Sequence, residues 1–185
     1  ASLARDAGRG IRHAGQFLSL ARRDDRSPDL LDFNEILTGN DRLLHSLIGT
    51  DIELEMDLAP RPGLVWADRN EVTQLIGNLM ANAREALPLG GLVTIETRNV
   101  EVAGPDPEIP PELRPGIYVR LVFSTDGCAV QPERRHSSIR TIAGRMGGCL
   151  KSTNDPRTGN IHTVYIPRVE GAIAGAGREA GSVGA

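Results

Sequence analysis

Apolar and polar positions along the chain follow two periods. From Asp68 to Leu87, DRNEVTQLIGNLMANAREAL, the residues Val72, Leu75, Ile76, Leu79, Met80 and Ala83 recur every three or four positions, which gathers them on one face of a helix. Asp68 or Asn70 can cap its start, Glu71 suits the positive end of the helix dipole, and Pro88 with Gly90-Gly91 stops it. The same period predicts a helix over 2–23, carried by Leu3, Ala7, Ile11, Ala14, Phe17 and Leu18, weakened by Gly8 and Gly10 and ended by Arg22-Arg23. It predicts another from Asp32 to Ile48, with Asp32 or Asn34 near its cap and Ile36, Leu37, Leu43, Leu44, Leu47 and Ile48 buried. A last one runs from Ser137 to Met146, closed by Gly147-Gly148.

Alternation predicts the strands. In DIELEMDL (51–58), Ile52, Leu54, Met56 and Leu58 turn inward and the charges outward, as in a half-buried antiparallel strand. LVWA (64–67) is a short strand leading into the long helix, with Trp66 expected in the core. LVTIETRNVEV (92–102) and GIYVRLVFS (116–124) are strands, and CLKSTND with IHTVYIPR form a closing hairpin across Pro156 to Asn160. DDRSPDLL (24–31) is a polar link and a domain boundary; residues 103–115 hold five prolines and form an exposed loop. From Val169 the Gly/Ala-rich sequence is expected to be a disordered or loosely packed tail. The order of elements gives an α+β chain: a two-layer α/β sandwich, helices on one face of a mixed sheet, preceded by one long helix. The expected domains are 1–27, 28–168 and 169–185.

Composition narrows the function classes. Aromatics make up only 3% of the 185 residues, so the core must be built from Leu, Ile, Val and Ala. The net charge is −3 and the basic clusters Arg22-Arg23 and Arg134-Arg135 are short, which argues against a nucleic-acid partner. No run approaches the roughly 20 apolar residues of a membrane span. Cys128 and Cys149 are far apart with no CxxC, so a reducing compartment and no structural zinc are expected; Cys128 and His136 have no further ligands clustered with them. The expectation is a cytoplasmic piece of a longer protein, and a membrane-anchored parent is compatible with it.

The candidate chemistry lies beside the apolar stripe of the long helix, at Asn78, Asn82 and Glu85. Asparagine is a mediocre helix former, and residues four apart project side by side. Carboxamide oxygens there could take a hard cation such as Mg²⁺, which characteristically brings phosphate with it. The spacing alone equally describes two solvated or capping asparagines.

NLMANAREA resembles the N-box, NLxxNAxxA, of sensor histidine kinases and of the wider GHKL ATPase superfamily, and LVWADRNEVTQLIGNLMANAREAL also carries the strand and Asp that precede it. The resemblance implies that Asn82 ligates Mg²⁺, that Asn78 is the polar residue one turn earlier, and that Glu85 is the acid facing the nucleotide pocket. GRGIRHAGQFLSLARR resembles the family's AAxRGAxLxxQLLAFARR, the second helix of the dimerisation and phosphotransfer hairpin. This implies a homodimer through a four-helix bundle and a response-regulator receiver domain as partner. The family's acceptor histidine lies on the first hairpin helix and precedes an acidic residue. None of His13, His45, His136 and His162 does so, which leaves His13 a surface histidine, any acceptor upstream of residue 1, and no catalytic residue in the chain.

The remaining family boxes are altered. DxGxG, whose aspartate reads the adenine amino group, aligns on Gly127 with Ser124-Thr125-Asp126-Gly127-Cys128-Ala129. Thr125 takes the aspartate's place, Asp126 follows it and points the opposite way on an extended backbone, and Ala129 replaces the second glycine. Where the family has GxGLGL, the chain has Glu133-Arg134-Arg135-His136, and only Val130-Gln131-Pro132 stand for the lid. Arg134, Arg135 and His136 either attract phosphate by charge or form a solvated basic helix entry. The resemblance therefore implies two-component signal transduction with a degenerate nucleotide site, a pseudo-kinase or phosphotransfer scaffold whose cleft is shallow or filled by its own side chains. The alternative is an active ATP-dependent kinase of an upstream histidine, with Mg-ATP held by Asn78, Asn82, Glu85, Asp126 and Gly127.

Overall fold

In chain order the elements are β1 (Asp29–Leu31), α1 (Phe33–Gly39), α2 (Asp41–Ile48), β2 (Ile52–Asp57), β3 (Gly63–Ala67), α3 (Arg69–Ala86), β4 (Gly91–Val102), β5 (Gly116–Thr125), α4 (Glu133–Arg145), β6 (Cys149–Asp155) and β7 (Gly159–Ile173). The computed structural model describes residues 28–104, 109–127, 133–155 and 159–173. The helix expected over 2–23 with His13, the segment from Cys128 through Ala129 to Pro132, and the tail beyond 173 lie outside the described residues.

The strands form one seven-stranded sheet in the order β1-β3-β7-β5-β4-β2, with β6 paired to β7. All pairs are antiparallel except β2 with β4. The two-layer sandwich expected from the sequence is what forms: Phe33, Ile36 and Leu37 of α1, Leu44 and Ile48 of α2, the stripe of α3 and Ile139, Ile142 and Ala143 of α4 share one core with Val65, Val93, Ile95, Val119, Leu121, Phe123, Val164 and Ile166 of the sheet. Burying a side chain of the size of Leu or Ile contributes about 1.5–3 kcal/mol, so this face carries most of the fold's apolar stabilisation.

Several expectations are corrected. The helix from Asp32 to Ile48 is two helices. Asp32 does cap the first, accepting from the Asn34 amide at 2.7 Å, but Asn40 leaves helical geometry and its side chain donates to the Ile36 carbonyl at 2.7 Å, ending α1 before α2 begins. Asparagine competes with the helix for backbone partners in this way. β2 is parallel to β4, because β3 and α3 form the crossover between them, and it lies at the sheet edge, which explains its half-burial. Trp66 is 57% exposed: Val65 and Ala67 face the core, so strand alternation turns Trp66 outward. Residues 29–31 of the polar link form β1, with Leu31 buried. The tail begins later than Val169, since β7 continues to Ile173 opposite Gly63. In the proline-rich loop, Pro110 is buried, and Ile109 and Leu113 pack on the outer face of the sheet against Val102, Tyr118, Cys149 and Tyr165. α4 starts at Glu133, four residues before the expected start at Ser137.

Candidate nucleotide-type site

α3 forms as its pattern dictates. Asp68 caps it by accepting from the Asn70 amide at 2.6 Å, and Val72, Leu75, Ile76, Leu79, Met80 and Ala83 are all buried. Of the three polar candidates, Asn82 is fully buried at 0% exposure, Asn78 is half-buried and Glu85 is exposed. Helical spacing brings the three to one side of α3, but they sit at three different depths.

At the end of β5, adjacent residues diverge as expected. Thr125 is buried, and its hydroxyl donates to the Gly127 carbonyl at 3.1 Å. Asp126 is exposed, and its Oδ1 accepts from the Leu92 amide at 2.9 Å. Gly91 admits that carboxylate: a Cβ on Gly91 would lie 2.5 Å from Asp126 Oδ1. Gly127 lies against the C-terminal end of α3, where a Cβ would stand 2.7 Å from the Ala86 carbonyl oxygen. Gly159, at φ 82°, opens β7 so close to Thr125 that a Cβ would collide with the Thr125 carbonyl.

β7 supplies residues that the motif comparison did not single out for the site. Asn160 stands opposite Thr125 and His162 opposite Phe123, both on the helix-covered face and both buried. His162 Nδ1 shares a hydrogen with Ser152 Oγ at 3.0 Å, and its ring meets that of His136 on α4 edge-on, centroids 5.1 Å apart. Burial, and then the neighbouring His136, pull the His162 pKa down from 6.5 to about 4. The signal was in the sequence: stepping back by twos from Ile166 through Val164 puts His162 and Asn160 inward. Of the basic helix start, His136 is half-buried in α4; Arg134 and Arg135 lie on its first turn and their side chains are outside the described residues.

Magnesium takes oxygen ligands, so a carboxamide that holds it must be open to the ion. Here the inward residue is a threonine already bonded to Gly127, the carboxylate beside it faces the β4 backbone, and Asn82 is covered. No group of three or more His, Cys, Asp or Glu side chains placed to hold a metal occurs among the described residues. No described helix is long and apolar enough to cross a membrane.

No protein-family model matches the chain. Over 102 residues, 55% of the chain, it is 36% identical to the sensor kinase CckA of Brucella abortus (strain 2308), covering 11% of that protein. Over 175 residues, 89% of the chain, it is 26% identical to the sensor histidine kinase ZraS of Klebsiella oxytoca, covering 37% of that protein. The chain thus spans well under half the length of either relative. Among solved structures, the cytoplasmic segment of histidine kinase QseC superposes with a TM-score of 0.58 at 17% identity, over 88% of this chain and 95% of that one. In sequence the chain is thus similar to sensor kinases over the lengths given, and the described body has the fold of a histidine kinase's cytoplasmic segment.

Proposed function

We propose that this domain serves two-component signalling as a pseudo-kinase or phosphotransfer scaffold. In the whole protein it would be joined through residues 1–27 to a dimeric hairpin on which a response-regulator receiver domain docks. What supports this reading is the end of β5: a buried Thr125 stands where the family reads adenine with an acid, and Asp126 is turned to the Leu92 amide. Asp126 is thus tied to its own sheet, and Gly127 is packed on the end of α3. Calorimetric titration with Mg-ADP is the test. No heat of binding is expected, and ordinary micromolar binding overturns the reading.

The second reading, an active ATP-dependent kinase, is favoured by one observation: NLMANAREA is intact on a well-capped helix. Asn82 would then hold Mg²⁺ after a rearrangement that uncovers it, with Asn78, Glu85, Asp126 and Gly127 around the nucleotide. Autophosphorylation of the longer protein with labelled ATP decides between the two; label on an upstream histidine selects this second reading.

A further inference from the structure

β7 and α4 bring together two imidazoles that the proposed function leaves without a task. His162 points inward from β7 and is 5% exposed; His136 stands near the start of α4, half-buried. Their ring centres are 5.1 Å apart and their planes cross at 68°. The Nε2 of each ring is covered, and among the described residues neither has a hydrogen-bond partner. A buried polar atom in that state carries the cost of its lost water. Here two such atoms belong to neighbouring rings, and one cation held between them answers both.

Ser152 supports the tautomer that a metal needs. Its Oγ lies 3.0 Å from His162 Nδ1. With the ring proton on Nδ1, donated to that oxygen, Nε2 presents its lone pair, the form in which imidazole binds a metal. Metal-ligating histidines are held in this way, by a hydrogen bond at the second nitrogen. The separation fits as well. Two imidazoles bound through Nε2 to one tetrahedral zinc, each bond about 2.0–2.1 Å long, place their ring centres about 5.2 Å apart. The observed spacing is close to that value. Crossed planes are no obstacle, because a ring can turn about its metal–nitrogen bond without leaving the ion. Magnesium takes oxygen and gains nothing from two imidazoles, whereas zinc, copper and nickel are suited to them. No further His, Cys, Asp or Glu of the described residues completes a group of three. Two positions of a tetrahedral ion are therefore left to water or to an anionic ligand.

We propose that His136 and His162 form a binding site for one divalent late transition metal ion, with Ser152 as the positioning residue, and that the ion ties the start of α4 to β7. The site stands on these side chains and does not rest on whether nucleotide binds.

Zinc is the probe. The full chain, stripped with a chelator, is dialysed against increasing free zinc, and bound metal is counted by atomic absorption. Uptake of one zinc per chain at micromolar free zinc is expected, with a rise of several degrees in the thermal unfolding midpoint. His136→Gln and His162→Gln are each expected to weaken uptake by more than the roughly tenfold that loss of a supporting outer-shell partner costs. His45→Gln, on exposed α2, should bind as wild type does. Far-UV circular dichroism of the metal-free variants checks the fold. Should His162→Gln lose it, His136→Gln still decides, since that ring is only half-buried. Copper(II) in place of zinc gives a second reading: electron paramagnetic resonance should show nitrogen coupling from two imidazoles in wild type and from one in His136→Gln. No zinc uptake by wild type overturns the proposal. So does uptake unchanged by His136→Gln, or a loss shared equally by His45→Gln.

Discussion

Asp126 and Leu92 are joined by two hydrogen bonds: the Leu92 amide donates to Asp126 Oδ1 at 2.9 Å, and the Asp126 amide donates to the Leu92 carbonyl at 3.3 Å. The pair fastens the exit of β5 to the entrance of β4. The Asp126 side chain thus helps to tie two strand ends together.

Removing that carboxylate should therefore cost stability without touching nucleotide affinity. Asp126→Ala is expected to lower the urea unfolding free energy by about 1 kcal/mol, the usual worth of one hydrogen bond, moderated here by exposure. Asp126→Asn keeps an acceptor and should lose less. A Mg-ADP titration indistinguishable between wild type and both variants is expected; an affinity present in wild type and lost in Asp126→Ala would assign the residue to a ligand instead.

Gly159 is a sharper case. Its φ of 82° lies in the left-handed region, and a Cβ would collide with the Thr125 carbonyl, which is backbone and cannot swing away. Gly159→Ala must either separate β7 from β5 or twist the turn. A loss of roughly 3 kcal/mol or more, seen as a lowered denaturation midpoint, is expected. Gly104→Ala is the control: among the described residues nothing lies within 4 Å of a Cβ there.

How much of this was legible beforehand depended on range. α3 was readable to its cap because a capping Asp, an apolar stripe and the Pro88 stop are local signals. The face and composition of the sandwich followed from periodicity in the same way. Trp66 lies outside despite its hydrophobicity because Val65 and Ala67 take the interior of a short strand and alternation turns the residue between them outward. The direction of β2 was not in its own residues at all: whether it pairs parallel or antiparallel is fixed by β3 and α3 passing between it and β4. At the site, Thr125 and Asp126 were readable from spacing. The packing of Gly127 on Ala86, and the meeting of His136 with His162, join residues distant in sequence that no motif connects.

Cys149 should be chemically quiet. It is buried on the outer side of the sheet among Val102, Tyr118 and Tyr165, and burial pushes its thiol up to about 11, with the charge of Glu112 adding to the effect. Thiolate is the reactive form, so at pH 8 only a small fraction of the thiol can react. Iodoacetamide labelling under native conditions, mapped by mass spectrometry, is expected to leave Cys149 unmodified until denaturant is added. Prompt native labelling would mean that Ile109 and Leu113 do not keep the loop closed over it.

The His136–His162 contact gives the domain an acid-sensitive joint between α4 and β7. His162 is held neutral in the fold, its pKa depressed to about 4 from 6.5, because its ring is buried and, secondly, because His136 lies beside it. Above pH 6.5 the ring is neutral in both folded and unfolded chains and costs nothing. As pH falls from 6.5 toward 4 the unfolded chain takes a proton that the fold refuses, so stability drops; below about 4 both forms are protonated and the slope ends. The full drop amounts to about 3 kcal/mol. Asp32, whose carboxyl is raised by burial more than the Asn34 amide lowers it, works in the opposite sense, gaining relative stability as it protonates. The measurement should therefore be a difference. Urea unfolding of wild type and His162→Phe from pH 7.5 to 4 is expected to show wild type losing stability relative to the variant below pH 6.5, since Asp32 and the other carboxyls cancel. Parallel curves would show that the ring accepts its proton without disturbing the joint.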